Sequence, residues 1–319
     1  MSNTSSSATP FIHAQQYSSF ILNVLHDGML PDNFYRNVSD FGSGTTLNIK
    51  TIGRVTIQEV EEDTPLQYSP IETGNIQLSI TDFVGSAWYV TDVLKQDGEQ
   101  IEALMAGQSM EAARAIQENF ETRLLAVIND AQTANAANVI NGHAHRKTAS
   151  GTNETMELID IIETRLALDK ANVPNAGRVA VVDPVVAASM TTKFQGSYNV
   201  DANPAFQGVL QEGFTREHRF VMHLFGFDIW TSNRLPDVAS GQGDGTTNLA
   251  AAGVANIFMC VLDDNCKPAM VAWRQQPQVE GERNKDRKRD EFVQTARWGV
   301  GIQREDTYVV ILTQALAIS

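Results

Sequence analysis

The chain reads as an α+β protein in which an extended ribbon and a long helical rod join a mixed sheet to a more ordinary α/β unit. Three patterns lead there. Between Asp97 and about Ala137 the apolar residues Ile101, Leu104, Met105, Ala112, Ile116, Phe120, Leu124, Val127, Ile128 and Ala131 recur at the helical period, with no proline among them. Between Leu47 and Val90 the apolar period is two, as in strands. From Thr152 to Leu262 apolar runs alternate with helical stretches and turn signals, the layout of an α/β domain.

The helix sets the central problem. Asp97 and Gln100 have capping-box spacing, which satisfies two of the orphan amides at a helix start. At 1.5 Å per residue, a helix of about 35 residues spans roughly 50 Å. No compact domain of ordinary size covers such a rod along its whole length. The stripe therefore needs a surface shaped to match it, in this chain or in a neighbour.

Bulk properties narrow the function. A length of 319 residues implies about two domains. A formal charge of −14 argues against a surface built to grip nucleic acid, without excluding a protein that lies beside it. Arg36 is the first Lys or Arg, so the N-terminal segment is no cationic arm. The two cysteines, Cys260 and Cys266, give no disulfide framework and suit a reducing compartment. No apolar run approaches the ~18 residues of a membrane span. The first residues lack the basic region of a signal peptide. The expectation is a soluble protein made in the cytoplasm, with no membrane partner.

In order along the chain, residues 1–9 are Ser/Thr-rich and expected to be flexible. Ile12, Tyr17, Phe20, Ile21, Val24 and Leu25 predict a short amphipathic helix over Phe11–Leu25, ended by Gly28 and Pro31, which must dock on something else. A first strand carries Leu47, Ile49, Val55 and Ile57 on one face. A second, from Ile76, carries Leu78, Ile80, Val84, Trp88 and Val90. Between them Glu59, Glu61, Glu62 and Asp63 form an acidic tip. Two-stranded ribbons are marginal alone in water, so this one also needs neighbours.

In the α/β unit, Thr152 or Asn153 is positioned to cap a helix containing Leu158, Ile161, Ile162 and Leu166. A turn over 173–178 leads to a buried strand at Val179–Val182, and Asp183-Pro184 opens a second helix, with Asp as N-cap and Pro at the first helical position. Residues 195–215 read as loop, Phe220–Leu224 and Phe227–Thr231 as strands, Ser240–Gly253 as a surface loop and Ile257–Leu262 as a strand. The last part begins at Pro277. Glu280–Glu291 is a balanced charge run, expected to be a solvated or interface loop, and Phe292–Ile302 and Thr307–Leu312 predict two strands.

Signatures of catalysis are missing. The sequence has no phosphate-binding Gly-rich loop, nucleophile elbow, paired Cys-x-x-Cys or His-Glu-x-x-His. His143 and His145 flank Ala144 and would bind a metal only with carboxylates from elsewhere; a solvated turn after Asn141-Gly142 is the plainer reading. Cys260, inside an apolar run, reads as a small core residue. The acidic tip lacks the spacing of a calcium loop. Trp88, Trp230, Trp273 and Trp298 are scattered and read as structural. No catalytic, cofactor-binding or metal site is assigned.

The order of these parts resembles the major capsid proteins of tailed bacteriophages (Caudoviricetes) with the Hong Kong 97-like fold. That family has an N-terminal arm, an extended two-stranded loop, a long spine helix, an axial α/β domain and a return to a peripheral sheet. On this resemblance the arm is 1–41, the extended loop 42–95, the peripheral domain with its spine 96–140 and 277–310, and the axial domain 141–276 and 311–319. Gly177-Arg178-Val179-Ala180-Val181-Val182-Asp183-Pro184 resembles the strand that opens the axial domain. Gly226-Phe227-Asp228-Ile229 with Ser232-Asn233-Arg234-Leu235-Pro236 is similar to its later strand and exit, and Ala296-Arg297-Trp298-Gly299-Val300-Gly301 with Arg304-Glu305-Asp306 to the terminal peripheral strands.

The resemblance implies architecture as function: pentamers and hexamers closing into an icosahedral virion capsid, assembled in the host cytoplasm around double-stranded DNA held without sequence specificity. It implies a portal protein and admits a decoration or cement protein. Some relatives carry a scaffolding domain ahead of the extended loop. Too few residues stand there in this chain, so a separate scaffolding protein is expected. Candidate inter-subunit contacts are the acidic tip (Glu59, Glu61, Glu62, Asp63) against Arg283, Arg287 or Arg289 of a neighbour. Lys50 is the one lysine in 42–94 available for the crosslink some relatives make, yet no partner can be assigned and crosslinking is not expected. The alternatives are an encapsulin-type compartment shell of the same fold and, from another class, a metal-dependent hydrolase using His143 and His145.

Overall fold

The computed structural model describes residues 30–38, 44–53, 57–60, 62, 65, 70, 73–98, 101–132, 139–197, 220–243 and 247–314. The helix expected at Phe11–Leu25, together with Val55, Glu61 and Asp63, lies outside them.

A 3₁₀ turn at Asp32–Phe34 precedes β1 (Arg36–Asn37), then β2 (Thr46–Ile52), β3 (Thr73–Ser79) and β4 (Asp82–Thr91). Two helices follow, α1 (Asp92–Asp97) and α2 (Ile101–Ala131), then the short strands β5 (Val139–Ile140), β6 (His143–Ala144) and β7 (Arg146–Thr148). The α/β part contributes α3 (Leu158–Lys170), β8 (Arg178–Val182), α4 (Pro184–Ser197), β9 (Phe220–Leu224), β10 (Phe227–Thr231), β11 (Asp237–Val238) and β12 (Gly253–Cys260). The chain ends in β13 (Ala269–Asn284), β14 (Arg289–Ile302) and β15 (Tyr308–Gln314).

Two main sheets result. A four-stranded sheet has the order β1-β13-β14-β4, and a seven-stranded sheet has β7-β15-β12-β8-β10-β9 with β11 added beside β12. β2 and β3 pair with each other as a separate antiparallel ribbon, Thr46 opposite Ser79 through Ile52 opposite Thr73. β8 is buried at every position, as a central strand covered on both faces must be. On one face of its sheet lie α3 and α4, packed through Ile161, Leu168, Val186 and Met190 against Ala180, Val182 and Phe258. On the other face lies the C-terminal half of α2. There Ile116, Phe120, Leu124 and Ile128 share one core with Val179, Val181, Ile257 and Val310 of the large sheet and with Val271, Ala296 and Trp298 of the small one. Phe120 sits 4.9 Å from the Trp273 ring, 5.7 Å from Trp298 and 5.4 Å from Tyr35. The rod is thus the wall between the two sheets.

Several expectations are corrected. The rod does not start at Asp97: α1 ends there, and Gly98 follows in extended conformation (φ −88°, ψ 134°) before α2 begins at Ile101. Thr91, accepting the Leu94 N–H, caps α1 in place of the expected Asp97–Gln100 box. The physical reason is the glycine, whose backbone freedom disfavours continuing a helix. The helix is described as far as Ala131, and residues 133–137 lie outside the described set. The second strand of the expected ribbon is two strands that break at Ile80-Thr81 and change partner: β3 pairs with β2, β4 with β14.

The charge run 280–291 is not a loop. Most of it extends the β13–β14 hairpin, and only residues 285–288 turn, because alternate charges on a sheet surface find partners across the strands. The strand that starts that part begins at Ala269, ahead of Pro277, and the strand expected at Thr307–Leu312 runs in the seven-stranded sheet against β12 rather than in the peripheral one. The helix expected after Thr152 or Asn153 starts at Leu158, where the Asp160 carboxylate accepts the N–H groups of Glu157 (2.9 Å) and Ser150 (3.1 Å); Thr152 and Asn153 sit in a separate 3₁₀ turn. The Asp183 cap forms as expected, its Oδ2 accepting the Val185 N–H at 2.9 Å.

Candidate assembly surfaces

Two polar anchors hold the rod. Glu121 is buried although charged. Its carboxylate accepts from Arg234 Nη1 (3.2 Å), the Ser232 hydroxyl (3.1 Å) and the Leu30 N–H (3.3 Å), while Arg234 Nη2 reaches Glu118 at 2.7 Å. The loop after β10 and the start of the described chain are thereby fastened to the same turn of α2. A buried pair of this kind does little for net stability but is costly to break, so it fixes geometry. At the helix's other end Arg146, also buried, donates through Nη1 to the carbonyls of Asn129 (3.2 Å) and Gln132 (2.8 Å) and through Nε to Gly243 (3.3 Å). A cation there satisfies orphan carbonyls and opposes the helix dipole.

His145 is not in a solvated turn. The turn at Asn141 and Gly142 forms, both with positive φ, but β6 and β7 carry His145 into the core, where its Nδ1 lies 2.9 Å from the Tyr308 carbonyl. Burial pushes its pKa below the usual imidazole value. His143 stays half-exposed, and among the described residues no group of three His, Cys, Asp or Glu side chains is placed to hold a metal ion.

Of the candidate contact residues, Glu59, Glu62 and Lys50 are exposed on or beyond the β2–β3 ribbon. The three arginines differ. Arg283 is engaged within its own chain, reaching Asp92 at 2.8 and 3.0 Å and Asp290 at 3.1 Å, while Lys95 also pairs with Asp290. Arg289 donates to Glu291 at 2.6 Å and lies 4.3 Å over the Tyr89 ring. Arg283 holds the Asp92 carboxyl below its ordinary range, Lys95 does so for Asp290, and Arg289 for Glu291. Only Arg287, exposed in the 285–288 turn, presents a guanidinium for which no ion pair is made among the described residues. The balance of charge along 280–291 did not show this pairing, because which arginine stays outside depends on the strand register.

Several large apolar side chains are left uncovered among the described residues. Ile52 at the end of β2 and Ile57 beyond it are 81% and 92% exposed, and in the N-terminal part of the rod Leu104 and Met110 are 51% and 65% exposed. Phe83 and Tyr89 project from the outer face of β4. A cleft of about 360 Å³ lies where the described chain begins, between Leu30, Tyr35, Gln117, Phe120, Trp273 and Pro277. Sequence reasoning missed the Glu121–Arg234 and Arg146 anchors, because a charged residue on a helical stripe reads as the solvated side.

Exposed apolar side chains on β2, α2 and β4, beside buried charges that fix position, are what a subunit of a structural shell presents to its neighbours. The solved structures agree on the fold. The chain has a TM-score of 0.63 to a structure from Mycobacterium phage Che8, with 17% identity over 94% of this chain and 97% of that one. For the mature capsid of bacteriophage PhiM1 the TM-score is 0.70, with 15% identity over 96% and 93%. For the capsid of cyanophage P-SCSP1u it is 0.68, with 15% identity over 94% and 93%. No curated protein sequence matches the chain significantly. Residues 75–311 match the family model described as phage capsid protein, and the chain belongs to that family: it is a major capsid protein with the Hong Kong 97-like fold.

Proposed function

We propose that copies of this chain assemble as pentamers and hexamers that close into an icosahedral shell around double-stranded DNA in a tailed bacteriophage. The observation that carries this reading is the exposure of apolar side chains on two extended elements, Leu104 and Met110 of α2 and Ile52 of the β2–β3 ribbon. Apolar surface arranged along extended elements is what a neighbouring identical copy covers, and obligate interfaces of several thousand Å² are built this way. The formal charge of −14 supports a wall that holds DNA loosely, since tight phosphate contacts would oppose packing and release.

The same reading assigns residues 1–41 to an arm and 42–95 to an extended loop. It assigns 96–140 and 277–310 to a peripheral domain and 141–276 and 311–319 to an axial one. A separate scaffolding protein, a portal protein and a decoration or cement protein are proposed partners, and the host cytoplasm the proposed place of assembly. The acidic tip, through Glu59, Glu61, Glu62 and Asp63, is proposed to meet Arg287 of an adjoining subunit. Electron microscopy of the protein expressed alone, and with a candidate scaffold, tests the reading. Closed shells or capsomers are expected, and a compact monomer under every condition would overturn it.

A further inference from the structure

The cleft at the start of the described chain has a definite build. One wall is α2 from Gln117 to Leu124, about 10 Å of helix. Trp273 and Pro277 of β13 face it, and the chain from Leu30 to Asn37 closes a third side. Its deeper lining is apolar, with Phe120 and Leu124 buried and Tyr35 and Trp273 half-buried, while Asn37, Gln117 and Gln276 are exposed. Glu121 is the one buried charge in the lining, and Arg234 and Ser232 already answer it. A gap of about 360 Å³ is far larger than the water-sized voids that a packed interior keeps.

We propose that this cleft is the docking site of residues 11–25 of the same chain, which lie outside the described set, seated with their apolar stripe on Tyr35, Phe120 and Trp273. The stripe is written in the sequence: Tyr17, Phe20, Ile21, Val24 and Leu25 recur at the spacing of one helix face. The segment is also neutral. No Asp, Glu, Lys or Arg occurs in residues 1–26, so burying it strands no charge in an apolar cleft.

Reach decides whose segment it is. Leu30 lines the cleft and is pinned there, its N–H donated to the Glu121 carboxylate at 3.3 Å. Leu25 stands five residues earlier, and five residues span at most about 18 Å. The end of the stripe therefore stays close to a cleft whose helical wall is shorter than that. A tethered segment also meets its site at an effective concentration that a separate copy has to match by association. Docking covers the half-buried faces of Tyr35 and Trp273 and completes the core around Phe120, whose ring lies 4.9 Å from Trp273 and 5.4 Å from Tyr35. It also keeps the N-terminal segment on its own subunit instead of bridging neighbours. None of this depends on the shell reading.

The test uses the purified full-length protein, unassembled, with Phe20 replaced by the photoreactive benzoylphenylalanine. After irradiation and digestion, mass spectrometry is expected to find its crosslinks in residues 30–37, 117–124 and 273–277. In an equal mixture of protein labelled with heavy nitrogen and unlabelled protein, each crosslinked peptide pair is expected to be wholly labelled or wholly unlabelled. Pairs of mixed label would assign the guest to another copy and overturn the proposal, as would crosslinks outside the cleft or none to protein. A second variant combines Ile21→Asp with Val24→Asp. It is expected to melt several degrees lower and to show stronger acrylamide quenching of tryptophan fluorescence, because Trp273 loses its cover. Unchanged melting and quenching would count against docking just as directly. Every arm uses unassembled chain, so an empty cleft leaves the shell reading standing, and a failure to form shells leaves the docking result standing.

Discussion

Arg146 illustrates how a single side chain can hold a long element in place. It is buried, it faces carbonyl oxygens at the end of α2, and it draws in Gly243 from a distant loop. Arg146→Met would leave several of those carbonyls without a donor, and a loss of about 3 kcal/mol or more is expected in denaturant unfolding of the unassembled protein. His145, next to it, makes stability depend on acidity. Its ring is favoured neutral in the folded state, because burial lowers its pKa from 6.5, with His143 pressing the same way and Asp306 and the Tyr308 carbonyl opposing. The unfolded chain therefore takes up the proton first. Stability is complete above pH 6.5 and declines as pH falls below it, toward the lower folded value. Melting temperatures followed from pH 7.5 to 5 are expected to fall, and to fall less in His145→Gln. Gly299 is a third case. A Cβ there would meet the Ser79 carbonyl oxygen at 2.3 Å and the Ile80 Cα at 2.8 Å, so the base of the ribbon can cross β14 only over a glycine.

Among the elements, α2 carries the largest share of packing between the sheets. Phe120→Ala removes the ring that three other aromatics surround and is expected to cost about 3–5 kcal/mol. Ile116→Asp or Phe120→Asp buries a charge with no partner and is expected to abolish soluble protein, read as loss from the supernatant after expression. The stripe that makes this prediction possible was legible in the sequence, because Ala112, Ile116, Phe120, Leu124 and Ile128 repeat at one period. So were β9 and β10, whose boundaries follow from apolar runs on either side of Phe225-Gly226, both with positive φ in a two-residue hairpin turn. The break at Gly98 and the exchange of partners at Ile80-Thr81 were not legible. A two-residue period says which face is buried but not which strand lies alongside, and pairing is decided by long-range register. The buried acid of the Glu121–Arg234 anchor was hidden for the related reason that its partner stands more than a hundred residues away in sequence.

For the whole molecule, assembly chemistry follows from what each copy leaves unpaired. Glu62→Lys or Arg287→Glu alone is expected to lower the yield of particles in a sedimentation assay, and the two together to restore much of it if these side chains meet between copies. Arg283→Glu is expected to act differently. It sets a carboxylate against Asp92 and Asp290 of its own chain, so its effect is already visible in melting of the unassembled protein. Shells dissolved in denaturant are expected to run as single chains on a gel, since no crosslinking partner is expected for Lys50. The joint at Ile80-Thr81 has one more consequence. The strip of chain beyond it is tied to the body through a small patch formed by Val38, Leu78, Ile80, Met270 and Ala272, while among the described residues β2 and β3 pair as strands only with each other. A closed polyhedron asks one polypeptide to occupy surroundings of fivefold and of sixfold symmetry. The outlying strip is therefore expected to take different angles to the body in the two surroundings while the interior packing stays the same, read by superposing the subunits of a reconstructed shell.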